Sequence, residues 1–142
     1  MISSKPIAAL ISELNETDET EHLEAKECGS DTVSKTVYET ICAMSNEPDL
    51  GGGTILLGVE KDMSLFPLYT ASGVTNPDKI QSDISSACST QFNTPVRVDL
   101  SVERVGKANI LRIDVPELPR NLKPLYFKAQ RSEEHTSELQ SP

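Results

Sequence analysis

Two short acidic patterns and one basic stretch are the places where this chain could do chemistry. The first pattern is Glu19-Thr-Glu-His-Leu-Glu24-Ala-Lys26. Run as a strand, it projects Glu24 and Lys26, two apart, from one face. A carboxylate beside an ammonium suits a metal-dependent nuclease. The acid holds Mg²⁺ or Mn²⁺ while the lysine steadies an attacking water or a transition-state phosphate. Such a site needs further acids. Glu60 and Asp62, at the far end of an apolar run and again two apart, supply them if the two strands are neighbours, with Glu19 behind. The plain alternative is a surface ion pair at Glu24 and Lys26 and a polar turn at Glu60 to Asp62. The basic stretch is residues 116–130, where Arg120, Lys123 and Lys128 stand against Glu117. Tyr126 and Phe127 lie among these cations and have rings able to stack on bases. Strand alternation sends at least one of those rings into the core.

Other chemistries find less support. Gly51-Gly-Gly53 lacks the Gly-Lys-Ser/Thr of a phosphate-binding loop and leads into a strand, so a tight turn and close packing are its expected roles. His22 has no second His or Cys at metal-ligand spacing. Cys28, Cys42 and Cys88 are odd in number and widely spaced, which argues against a disulfide framework and for a reducing, cytoplasmic setting. No Ser-His-Asp nucleophile motif is visible.

These residues need elements to position them. Ile7, Leu10, Ile11 and Leu14 fall at helical spacing after Pro6. Residues 22–27 alternate as a short strand. Ser30 or Asp31 is placed to cap a second helix with the stripe Val33, Val37, Ile41 and Met44. Thr54 to Val59 is apolar on both faces, the pattern of a central strand whose far end carries Glu60 and Asp62. Asn76-Pro77 opens a third helix with Ile80, Ile84, Ala87 and Cys88 as its stripe. Residues 96–102 and 110–115 alternate around Gly106, an antiparallel hairpin with Val96, Val98, Leu100 and Val102 inward. Leu125 to Lys128 reads as a last strand. The sum is an α+β domain, a mixed sheet with covering helices.

The chain has 142 residues, 37% of them apolar, and no Trp, so one core is expected. Its apolar runs are too short for a membrane span, and the N-terminus is too polar for a secretory signal. The stretch 131–142, Arg-Ser-Glu-Glu-His-Thr-Ser-Glu-Leu-Gln-Ser-Pro, resembles a translated sequencing-library adapter. The expected domain is therefore 1–130, with the native chain continuing past Gln130. The net charge is −9. Over residues 1–130, 12 Lys and Arg against 19 Asp and Glu leave −7, and residues 13–27 alone hold −6 of it. That balance argues against non-specific coating of nucleic acid but not against a local site.

The ordered set Glu19 to Lys26, then Ile41-Cys-Ala-Met-Ser-Asn46, then GGGTILLGVEKD from Gly51 to Asp62, resembles the Schlafen-type Alba-like domain. This is the DNA-binding module of bacterial divergent-AAA, ATP-binding proteins. ILRIDVPE (Ile110 to Glu117) and PLYFKA (Pro124 to Ala129) agree with it. Ala25 stands where the family usually has Phe, Glu47 to Leu50 is an insertion, and the family's later R-x-G-S segment is absent. The resemblance implies a nucleic-acid-binding module of a transcriptional regulator, with DNA the first partner and RNA the second. Basic contacts would come from Arg120, Lys123, Lys128 and Lys26. It also implies, as the alternative, a divalent-metal ribonuclease with Glu19, Glu24 and Glu60 or Asp62 as Mg or Mn ligands and Lys26 as electrostatic helper. Any ATP site would lie outside this chain. A protein-interaction scaffold is the third reading, one an acidic surface tolerates.

Overall fold

The structure, a computed structural model, describes residues 5–65 and 68–128. The adapter-like stretch 131–142 lies outside the described residues. Helix α1 (Ile7–Thr17) begins after Pro6, and its buried stripe is Ile7, Leu10 and Leu14. Strand β1 (Leu23–Lys26) follows, then helix α2 (Lys35–Asn46) and strand β2 (Gly53–Leu57), all five residues of which are buried. Strands β3 (Val59–Asp62) and β4 (Leu68–Ala71) form a hairpin. Helix α3 (Pro77–Thr90) precedes the hairpin of β5 (Asp99–Val105) and β6 (Ala108–Val115).

The main sheet has the order β1-β2-β6-β5, with β1 parallel to β2 and the other pairs antiparallel. A second sheet is formed by β3 and β4. Each face of the main sheet has its own core. On one face α2 and α3 cover Ile55, Leu57, Leu111, Ile113 and Val115. On the other, α1 packs with Leu23, Leu56, Val59, Tyr69 and Ile110. Strand β2 is buried throughout because it feeds both cores. The α+β class and the mixed sheet expected from the sequence are therefore present.

Four local expectations change. The second helix is capped by Ser34, whose hydroxyl accepts the Thr36 N–H at 3.3 Å. Ser30 is instead engaged with Thr32 in a local turn, which competes with helix initiation. The apolar run 54–59 is not one strand. Gly58 adopts φ +96 and its carbonyl accepts the N–H groups of both Ser72 and Gly73 at 2.8 Å. The chain leaves the main sheet there, so Glu60 and Asp62 belong to the small hairpin and not to an extension of the central strand. Strand β5 starts at Asp99, and Val96 is buried from a loop whose N–H bonds the Cys88 carbonyl. As an edge strand β5 leaves Val102 37% exposed, not inward. Finally, Leu125 to Lys128 is not a full strand: its β pairing is one isolated bridge between Phe127 and Phe92.

Candidate nucleic-acid interface

Strand β1 lies beside β2 in parallel register, Glu24 opposite Ile55 and Lys26 opposite Leu57. Its alternation sends Leu23 and Ala25 toward the α1 core and Glu24 and Lys26 toward α2. The Lys26 ammonium sits 2.5 Å from Glu24 Oε2, and Thr40 Oγ1 of α2 donates to the same oxygen at 3.0 Å. Glu19 stands just before the strand, where its carboxylate accepts the Ala25 N–H at 2.9 Å. Glu24, Lys26 and Glu19 are thus brought to one edge of the sheet. A groove there between β1 and α2 is lined by Glu21, Glu24, Glu39 and Glu47 over an apolar floor of Ala43, Met44 and Leu50. Four carboxylates repel phosphate, and Lys26, already paired, neutralises only one of them.

The other two acids are placed elsewhere. Glu60 pairs across the small hairpin with Thr70. It sits on the face opposite Val59, which packs in the α1 core. Asp62 accepts the Ser64 hydroxyl at 2.7 Å and the Ser64 N–H at 3.0 Å, and these bonds hold its carboxyl below the usual range. Among the described residues no group of three or more His, Cys, Asp or Glu gathers closely enough to hold a metal ion. As placed, these donors do not fit Mg²⁺ or Mn²⁺.

The thiols are also poorly suited to chemistry. Cys28, Cys42 and Cys88 are free, and burial raises all three, pushing Cys42 and Cys88 to about 11. They remain protonated at neutral pH and act as small apolar side chains. His22 is exposed on the loop before β1.

The basic stretch is built differently. Beyond β6 the chain is organised by Glu117, whose carboxylate accepts the Gly51 N–H at 2.8 Å and the Asp49 N–H at 3.1 Å. The same carboxylate pairs with the Lys123 ammonium at 2.8 Å. One acid therefore ties the glycine turn to the basic stretch. Lys123, first, and these backbone donors hold the Glu117 carboxyl down at about 2. The stabilisation is complete above pH 4.5, the group's ordinary value, and is lost as pH falls from there toward 2. In urea unfolding across roughly pH 2–5, Glu117→Gln is expected to flatten this part of the wild-type decline. An unchanged profile would show that the carboxylate contributes nothing.

Two asparagines clamp the segment beyond Lys123. Asn46, the last residue of α2, donates to the Leu125 carbonyl at 3.0 Å and accepts the Leu125 N–H at 2.7 Å. Asn93 donates to the Pro124 carbonyl and accepts the Tyr126 N–H. Leu125 is buried, and the Phe127 ring stacks on Tyr38 at 4.8 Å with Phe92 edge-on. Phe127 is the ring that goes inward; Tyr126 stays 38% exposed. Arg120, in a short 3-10 turn, and Lys128 are exposed, and neither forms an ion pair among the described residues. Residue types pointed to the cations and both rings. They did not point to Glu117, Asn46 and Asn93 as the groups that position them, because these bonds join residues 31 to 79 positions apart and over 60 apart for Glu117 and the glycine turn.

The sequence pattern of the family described as "Schlafen, AlbA_2" matches residues 19–137, reaching into the adapter-like stretch. The fold is similar to the N-terminal domain of a RecG-related protein from Nitrosomonas europaea, one named for its relation to an ATP-dependent DNA helicase. The TM-score is 0.77 and the identity 36%, over 87% of this chain and 81% of that one. The DIP2311 protein of Corynebacterium diphtheriae shares the fold at TM-score 0.56 and 16% identity. That likeness covers 87% of this chain, which spans 23% of that protein. No curated protein matches. No helix among the described residues is long and apolar enough to cross a membrane.

Proposed function

Since the chain belongs to the Schlafen AlbA_2 family, we propose that it is a nucleic-acid-binding module, with DNA as the partner and Arg120 and Lys128 as principal contacts. The 36% identical domain of a helicase-related protein supports nucleic acid as the ligand class. The observation that carries the choice of surface is the contrast between the two candidate places. Lys26 is paired beside an acidic groove, whereas Arg120 and Lys128 are exposed on a stretch anchored to the domain at Glu117, Asn46 and Asn93. Lys123 is committed to Glu117 and serves mainly to set the course of the chain.

An acidic protein with few contacts must bind locally and with a shallow salt dependence. The test is fluorescence anisotropy of labelled single- and double-stranded DNA from roughly 20 to 200 mM salt. Arg120→Ala with Lys128→Ala is expected to weaken binding and to flatten log affinity against log salt by about 1.4 to 1.8. If the unaltered protein retains neither form at the lowest salt, the reading is wrong. If the double variant keeps the full slope, the surface is wrong.

A further inference from the structure

We propose that this domain takes its nucleic acid as an unpaired strand, with a base stacked on Tyr126 and the adjoining phosphate on Lys128. The inference rests on the proposed nucleic-acid function and names the form of ligand the surface accepts. Around Phe127 the chain is extended and fixed: the Asn93 N–H bonds the Tyr126 carbonyl at 3.1 Å and the Lys128 N–H bonds the Gln91 carbonyl at 2.6 Å. With Leu125 buried and Phe127 stacked inside on Tyr38, the intervening Tyr126 is turned outward, and Lys128 is exposed beyond it.

Lys128 stands two positions on, where the extended course ends, and its long side chain has the reach to meet the phosphate next to a base on that ring. The ring needs little ordering on binding, because its backbone is already bonded on both sides to Asn93. A duplex hides base faces inside its own stack, so an exposed ring gains nothing from it. An unpaired strand offers every base face, and aromatic stacking is indifferent to sequence. The flanking cations supply the phosphate attraction that a ring alone lacks.

The chain has no Trp and three Tyr, of which Tyr38 and Tyr69 are buried. Quenching of the tyrosine signal by contact with a bound base therefore reports on Tyr126, over a constant background from the two buried rings. The test titrates the full chain with a twelve-residue oligothymidylate and with a twelve-base-pair duplex, at one salt concentration. The single strand is expected to bind more tightly and to quench the tyrosine signal. Tyr126→Ala should weaken single-strand binding by about 5- to 150-fold and leave duplex binding unchanged. Tyr126→Phe should retain affinity while losing most of the quench, which separates ring stacking from a loss of fold. Equal affinity for both forms, or wild-type single-strand affinity in Tyr126→Ala, overturns this inference and leaves the DNA-binding reading standing. Failure of the unaltered protein to bind either form overturns both.

Discussion

Asp114→Ala is expected to destabilise the domain by about 3–5 kcal/mol, the range for breaking a buried ion pair from one side. Asp114 lies on β6 with both carboxylate oxygens 3.0 to 3.1 Å from Arg112 Nε, and it accepts the Thr54 hydroxyl at 2.7 Å. The Arg112 side chain is 9% exposed and that of Asp114 14%. Arg112 also donates to the Lys5 carbonyl at 2.5 Å, so the pair connects the centre of the sheet to the start of α1. Glu103 of β5 supports the same point by accepting the Ile7 N–H at 3.1 Å. Without Asp114, the guanidinium stays in a largely dry site with its main counter-charge gone. Urea unfolding measures the loss directly. Replacing Arg112 and Asp114 together with Met and Leu should cost much less, because no charge is then left uncompensated. A loss below about 1 kcal/mol in Asp114→Ala would show that water reaches the guanidinium.

Gly52→Ala carries the second large effect, about 2–5 kcal/mol, from a wrong-handed backbone and a collision together. Gly52 adopts φ +85, and a Cβ there would stand 2.0 Å from the Val115 carbonyl oxygen and 3.1 Å from the Glu117 nitrogen. Both obstacles are backbone at the end of β6, paired with β2 at Gly53 opposite Val115, so neither can rotate away. The turn must move as a body. That movement withdraws the Asp49 and Gly51 N–H groups from Glu117, and the basic stretch loses part of its anchor. Urea unfolding gives the stability term, and the amide shifts of Asp49 and Gly51 report the broken contact. Native shifts with native stability would place the turn further from β6 than the structure has it.

These variants separate what the residues advertise from what the fold arranges. The glycine run was legible as a tight turn with close packing, because three glycines before an apolar strand have few other uses. Its partner was not, since nothing near residue 117 marks that carboxylate as the one that receives the turn. Lys26 shows the converse. Its strand spacing from Glu24 predicted a shared face correctly, yet the same spacing allowed a metal site and an ion pair. Thr40, on the next helix, helps decide for the ion pair by occupying Glu24 from α2.

The sequence by itself determined the α+β class, the three helices, the β5–β6 hairpin and the family likeness, while the parallel pairing of β1 with β2 came from the tertiary structure. Each follows from apolar periodicity or from motif order, which are local properties written along the chain. The tertiary structure alone decided that Glu60 and Asp62 leave the sheet at Gly58, and that Glu117, Asn46 and Asn93 hold the basic stretch. A run of apolar residues records that both faces are covered. It does not record where a single positive φ turns the chain, or which distant polar group meets which backbone donor.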